Sequence, residues 1–433
     1  MRYYIICIIT AISVNAFSQT LKLKVQDKTV ELKSSSANLP IDNIVDLIKD
    51  KNQNDILIYS NYLGVKDIKE GNFKGQQTGI FKEGVVFKDG SKFEFSEKET
   101  YICNIENSIY SEKIDFLNSV KNINVYHINN NSLIKSPNSI TIQFNNSFER
   151  IPNCEFLIFS NMDETVGDEV KIYDKNLNII NTYKPFDTGF SGLLYNSIGE
   201  NIFIISTPSI YSNSNKKFKL SIINTQNNFS INEINYLDKI EPQRLISLDN
   251  NLVLISVGKI MLISRLGHLL WSKNLNVSPT DFSTVGCESE GKLFVIAEGA
   301  VVCMNILDGS VLWRISLKDI YPTFEKPKSI KNEYYMSYVT IDFKILVSLK
   351  MICIISAKKE HNLKDNSITY SSKNLTLIDY EGKIIKHIPL TSTVKSSINA
   401  INYIEGRVKT CQLLIEDNGF RVINDRKIEK YEK

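Results

Sequence analysis

Four histidines are the scarcest of the side chains in this 433-residue chain that could act as acid, base, nucleophile or metal ligand. His127, His268, His361 and His387 stand far apart, and no pair has the H-x-x-x-H spacing that puts two imidazoles on one helix face. His268 falls in a hairpin turn and His361 in a polar stretch, which suits surface imidazoles better than a metal or catalytic set. Asp163, Glu164, Asp168 and Glu169 around Gly167 offer carboxylate oxygens, but without the ordered spacing of a calcium loop, so a solvated loop is the simpler reading. The cysteines, Cys7, Cys103, Cys154, Cys287, Cys303, Cys353 and Cys411, form no C-x-x-C pair, which excludes zinc-ribbon and thioredoxin-like spacings. Most sit in apolar runs such as Met351 to Ile355, where a thiol serves as a small buried hydrophobe. In an oxidising compartment, Cys287 and Cys303 are the pair expected to bridge, on neighbouring strands of one repeat. No G-x-S-x-G elbow, phosphate-binding glycine loop or H-E-x-x-H motif occurs, so the templates for acyl transfer, nucleotide chemistry and zinc proteolysis lack their residues. The residues assign no catalytic group, no metal ligand and no cofactor.

Lysine plus arginine (51) nearly balance aspartate plus glutamate (48), and no long basic run stands out, which argues against nucleic acid as a partner. With 42% hydrophobic residues the chain has material for a large core. Residues 1–18 read as a signal peptide: Arg2 gives the positive start, Ile5 to Val14 the apolar stretch, and Ala16-Phe17-Ser18 the small residues before a mature start at Gln19. That stretch is short for a bilayer span of about 20 residues; an uncleaved anchor is the alternative. Cys7 lies inside it, away from any lipidation point, and no later segment is apolar for long enough to span. A periplasmic, cell-surface or secreted location follows, with another envelope protein as the expected partner. The asparagine-, lysine- and isoleucine-rich composition and the signal style suit a bacterial source.

Chemistry of this dispersed kind needs a scaffold to gather it, and the scaffold shows in a repeat. Gly267 and Trp271 recur as Gly309 and Trp313, an offset of 42 residues, and about 40–45 residues is the length of one four-stranded propeller blade. The glycines supply positive φ to tight hairpin turns. Similar turns stand at Asp89-Gly90, Asn130-Asn131, Asp174, Asn224, Arg265-Leu266-Gly267, Asp308-Gly309, Asp379 to Gly382 and Asp417-Asn418-Gly419. Between them, runs such as Val301 to Leu307 are almost continuously apolar, as a strand covered on both faces requires. The expected fold is all-β, a propeller of about seven to eight four-stranded blades over 61–433, preceded by an N-terminal element over 19–60. Short amphipathic helices are expected over Pro40 to Lys49 and Ser111 to Val120. Two polar insertions, Ser209 to Lys217 and Ala357 to Lys373, read as loops on this scaffold, with Tyr211, Asn213, Lys216, His361 and Tyr370 as candidate contact residues.

The stretches Met261 to Trp271 and Cys303 to Trp313 resemble the tryptophan-docking repeat of quinoprotein-like propellers, those with pyrroloquinoline-quinone-type repeats. Thr376 to Lys386 keeps Gly382 but has lysine in place of tryptophan. The resemblance implies either an enzyme holding the quinone with calcium and a stacking aromatic, or a non-enzymatic relative such as the periplasmic scaffold lipoprotein of the outer-membrane barrel-assembly machinery. Both tryptophans here occupy repeat positions and no two cysteines are adjacent. The resemblance is therefore to the non-enzymatic branch, and implies a protein-binding or scaffold module. The alternatives are a quinoprotein- or hydrolase-type enzyme with its site in the central funnel, and a carbohydrate-binding propeller using Tyr211 and Tyr370.

Overall fold

Leu252-Val253-Leu254-Ile255 shows why the chain folds as it does. In a strand, successive side chains point to opposite faces, so four consecutive aliphatic residues leave neither face fit for water. Leu252 and Leu254 pack with Phe203 and Ile205 on one side, while Val253 and Ile255 pack with Leu293 and Val295 on the other. Such a sheet is stable only between two like itself, and a row of sheets with this requirement ends only by closing on itself.

The computed structural model describes residues 19–25, 28–38, 44–69, 74–163, 166–187, 189–209, 218–235, 242–248, 250–275, 287–322, 328–330, 334–364, 367–390, 394–397, 411–424 and 427–433. These form a β-propeller of eight antiparallel blades, numbered here in chain order. Blade 1 runs from Ile44–Lys49 through Asp55–Asp67 and Gln77–Val86 to Lys92–Glu94; blade 2 from Glu99–Ile105 to Ser132–Gln143; blade 3 from Ser147–Arg150 to Ile179–Tyr183; blade 4 from Phe190–Ile198 to Ser230–Asn235. Blade 5 runs from Pro242–Ser247 to Leu269–Asn274, blade 6 from Cys287–Ser289 to Val311–Ser316, and blade 7 from Tyr334–Leu346 to Ile384–Pro389. Blades 3 and 4 also touch through one bridge, Gly167 to Phe190. A separate apolar core fills each of the eight junctions, the last placing Ile423 of blade 8 against Ile44, Tyr59 and Val86 of blade 1.

Blade 8 joins the two ends of the chain. Its inner strands are Cys411–Glu416, Gly419–Asn424 and Lys427–Glu432, and its outer strands are Lys28–Asn38 and Gln19–Val25. Lys33 pairs with Glu432 and Asn38 with Lys427, while Leu23, Val25 and Leu32 enter the core shared with blade 7. Arg421 ties blade 8 to blade 1 through Asp55 (2.8 Å) and also pairs with Glu416 (2.6 Å). Burial works to raise the Asp55 carboxyl, but hydrogen bonds from Arg421 and Lys49 hold it below the usual carboxylate range.

Outside the cores, one contact type recurs along the rim. A side chain at or near the outer strand of one blade reaches the turn between the third and fourth strands of the next. Ser91 Oγ donates to Asn131 O (3.0 Å), Asn138 Nδ2 to Asn176 O (3.4 Å) and Asn181 Nδ2 to Phe229 O (3.1 Å). Trp271 Nε1 then donates to Ile306 O (2.7 Å), and Trp313 Nε1 to Tyr380 O (2.9 Å). Each indole also lies on the glycine of the turn it reaches: a Cβ on Gly309 would stand 2.9 Å from Trp271 Cε3, and one on Gly382 2.9 Å from Trp313 Cδ2. Between blades 4 and 5 the contact is apolar, Ile234 lying against Gly267.

Several expectations are corrected. Residues 19–60 are part of the ring, since 19–38 complete blade 8 and the boundary at 60 falls inside the strand Asp55–Asp67. The segments expected as helices are the strands Ile44–Lys49 and Ser108–Asp115; ladders with neighbouring strands satisfy their backbone groups, which outweighs a local helical period. The insertion Ala357 to Lys373 is mostly an ordered hairpin, in which Met351–Asn362 and Ser367–Asp379 run on beyond the blade and pair from Lys358↔Ser371 to Asn362↔Ser367. Seven of the eight turns read from the sequence join third and fourth strands, whereas Asp417-Asn418-Gly419 joins the first and second strands of blade 8. Cys287 and Cys303 both pair with Phe294, from opposite sides. Two strand spacings, about 9.6 Å, separate them, beyond the reach of a disulfide, and Cys303 is a free thiol.

Replacing Trp313 with phenylalanine keeps most of the ring contact and deletes one hydrogen bond, so it should lower stability by about 1 kcal/mol. Gly309→Ala forces a methyl against Trp271 at a φ of 67° and should cost about 1–3 kcal/mol. The shift of the urea unfolding midpoint measures both.

Candidate functional site

The first strand of each blade lies innermost, and these strands are stitched together by polar side chains around the axis. Tyr101 of blade 2 donates to Asp46 of blade 1 (2.7 Å), and Arg150 of blade 3 donates to the Asn104 carbonyl of blade 2 (2.7 Å). Tyr195 of blade 4 donates to Glu149 of blade 3, and Asn196 Nδ2 to Leu245 O of blade 5 (3.0 Å). The Leu413 amide of blade 8 donates to Asp342 of blade 7 (2.8 Å). Arg150 is further occupied by the Cys154 carbonyl (3.1 Å).

This belt gathers the residue types an active site would use, but its environment keeps them in unreactive forms. Burial pushes the Cys103 thiol up to about 12 and the Tyr101 and Tyr195 hydroxyls well above their ordinary value, with Asp46 and Glu149 adding to the respective tyrosine shifts. A thiol is nucleophilic as thiolate, so Cys103 is a packing residue at neutral pH. Cys353, pushed to about 12 by burial, is another. Beside the belt, buried Glu99 accepts hydrogen bonds from Ser111 (2.6 Å), Ser96 (2.6 Å), Asn124 (2.9 Å) and Tyr126 (2.9 Å). Burial works to raise its carboxyl, and these four donors hold it below the usual range. Among the described residues, no group of three or more histidine, cysteine, aspartate or glutamate side chains is arranged to hold a metal.

The two faces of the ring differ. In each antiparallel blade the first-to-second and third-to-fourth turns share one end, while the second-to-third turns and the links between blades share the other. On the first face the longest connection is 151–156. The second face carries 209–218, 275–286, 317–327 and 398–410, together with two hairpins that project beyond their blades. One is the blade 1 ribbon, paired from Leu57↔Val86 to Asp67↔Gln77. The other is the blade 7 extension, flanked by the short strands Lys328–Ile330 and Val394–Ser397.

The residues singled out from the sequence divide accordingly. Tyr211, Asn213 and Lys216 lie outside the described residues, in a connection on the second face. So does most of the acidic cluster: Glu164 is outside the described residues, and of the four only Glu169 has a described side chain, paired with Lys171 (2.6 Å). His361 and Tyr370 sit on adjacent strands of the blade 7 extension. Tyr370 is buried, with the Lys359 ammonium 5.9 Å from its ring centre, so it is a packing residue and not an exposed loop tip. Gly267, Gly309 and Gly382 occupy turns of the first face, where Trp271 and Trp313 dock.

Sequence reasoning missed two features of the second face. Tyr335, paired opposite His361, is 48% exposed; nothing local marks it, because its exposure depends on the extension's register. The other is a cavity of about 200 Å³ between the blade 1 ribbon and blade 2, lined by Lys66, Ile68, Lys69, Ile80, Phe81, Lys98, Thr100, Ile114, Phe116 and Leu117, with Asp67, Glu97 and Asp115. Its lining comes from segments far apart in the chain, one of them misread as a helix.

No protein-family model matches the chain. No curated protein matches it by sequence. Among solved structures it is similar to BamB from Moraxella catarrhalis, at 9% identity over 90% of this chain and 100% of that one, TM-score 0.44. It is also similar to the WD40 domain of SCAP from fission yeast, at 10% identity over 92% and 97%, TM-score 0.42, and to Hsv2 from Kluyveromyces marxianus, at 11% identity over 82% and 99%, TM-score 0.40. At these values the likenesses carry no functional argument. The assignment as a β-propeller rests on the eight blades and their cores. No helix among the described residues is long and apolar enough to cross a membrane.

Two outcomes are expected. Cys103 and Cys353 in the native protein should react with iodoacetamide at pH 8 on the order of a thousandfold more slowly than an exposed cysteine, read by mass spectrometry of the alkylated peptides. Glu99, depressed in the folded state, contributes stability that is fully present above its unfolded value of about 4.3 and lost as pH falls through the lower folded value. Glu99→Gln should therefore be less stable at pH 7, and its urea midpoint should fall less steeply than wild type on acidification below about pH 4.3.

Proposed function

We propose that this propeller is a non-catalytic scaffold of the bacterial cell envelope, exported by its first 18 residues, that holds another envelope protein on its second face. The observation that carries the reading is the segregation of the long connections and both projecting hairpins to that face, over a first face of short turns. Rigid scaffolds present recognition on such connections, and exposed Leu63 and Tyr335 stand there, away from the cores. The state of the axial belt supports the same reading, since its side chains are spent holding successive blades together and its thiol is held protonated. The quinoprotein-like repeat fits this role through its non-enzymatic branch, with the docked tryptophans acting as joints between blades.

The test is affinity capture from detergent-solubilised envelope fractions, using full-length protein and two variants with unchanged urea midpoints. Leu63→Asp with Tyr335→Asp alters the second face, and Leu307→Asp alters an 85% exposed side chain on the first. Wild type and Leu307→Asp should retain the same specific partner, and the double variant should lose at least tenfold of it. Loss in Leu307→Asp alone would place binding on the opposite face and refute the assignment. Recovery of the chain solely from the cytosolic fraction would refute its export.

A further inference from the structure

We infer that the cavity between blades 1 and 2 seats a single large aromatic side chain carried on an acidic segment of the partner protein. The inference rests on the scaffold reading above and names the chemistry of its anchor. The volume, about 200 Å³, suits one indole or phenyl group and is small beside the pockets of roughly 300–1,000 Å³ that enclose whole cofactors or drug-sized ligands. Its walls are apolar, formed by Ile68 and Ile80 of the ribbon, Phe81 beside them, and Phe116 of blade 2. Leu117 lines the same cavity and is 62% exposed, an apolar group with no core to enter. An inserted ring would gain edge or offset contacts with Phe81 and Phe116, in the pocket-anchored manner typical of interface hot spots.

The charge around the cavity selects what flanks the ring. Lys66, Lys69 and Lys98 line it with Asp67, Glu97 and Asp115. The acids are partly spent: Asp115 is capped by the Asn118 amide (3.2 Å) and Nδ2 (2.8 Å), lies within the field of Lys98, and Asp67 has a partner of its own. Lys98 extends over the Phe116 ring, 5.5 Å from its centre. Lys66 and Lys69 are exposed and form no ion pair among the described residues, leaving two ammonium groups to meet carboxylates on either side of an inserted ring. Such rim charges steer association and fix polarity more than they add affinity.

The experiment titrates the full-length protein calorimetrically with three peptides: acetyl-EDWDE-amide, acetyl-EDADE-amide and acetyl-KKWKK-amide. The first should bind at one site, at least tenfold more tightly than either of the others. Lys66→Glu with Lys69→Glu, two exposed changes, should weaken the first peptide about tenfold and narrow its advantage over the lysine peptide. Equal binding of the tryptophan and alanine peptides, or an unchanged affinity in the double variant with an unchanged urea midpoint, would overturn the inference. Free indole-3-acetate competing as tightly as the peptide would also overturn it, by making the cavity a small-molecule site. The two readings fail separately. Partner capture that depends on Leu63 and Tyr335 without selective peptide binding removes only the anchor, whereas peptide binding without a captured partner removes the scaffold.

Discussion

Everything in this propeller depends on keeping eight two-sided sheets in contact, because none of them has a face that water could cover. Each apolar core holds two blades by a non-directional force proportional to buried area, which fixes proximity but not angle. Directional contacts supply the angle. At the rim, a donor from one blade reaches a turn carbonyl of the next, and near the axis the first strands bond to each other through Tyr101, Arg150, Tyr195, Asn196 and Asp342. A blade gripped at both edges cannot tilt without breaking hydrogen bonds on one side, so the ring is stiff as well as closed.

That division of labour explains the character of the axis. In a catalytic funnel, side chains are free to meet a substrate. Here their hydrogen-bonding capacity is directed sideways into neighbouring blades, and burial keeps the Cys103 thiol protonated. Variation is left to the connections that carry little of the ring's cohesion. They collect at one end because a meander of four antiparallel strands returns the chain there whenever it moves to the next blade. The first-face turns, by contrast, receive the rim contacts, and Gly309 and Gly382 have no room for a side chain.

The tryptophans are the most visible form of a device used more widely. Between blades 5 and 6 and between blades 6 and 7 the donor is an indole over a glycine, a pair of rare residues whose recurrence stands out. In blades 1 to 3 the same task falls to Ser91, Asn138 and Asn181, and between blades 4 and 5 the packing half falls to Ile234. Serine and asparagine are common near turns for unrelated reasons, so those blades were legible only as faint hairpins. Phe116 and Leu117 fit a helical period by coincidence of spacing, and their real setting, a turn beside the blade 1 ribbon, involves residues on another blade.

By itself the sequence determined what is local: alternating or continuous apolar strands, turns needing positive φ, and a repeat length that calls for blades. Those properties act within a few residues, where backbone geometry and side-chain period decide the outcome. Tertiary structure alone decided that Lys28–Asn38 would complete the last blade and that Arg421 would meet Asp55 across 366 residues of chain. It also decided that Tyr370 would be buried and Tyr335 exposed. Such pairings depend on which sheet edges remain unsatisfied once the other blades have formed, a condition set by closure of the whole ring.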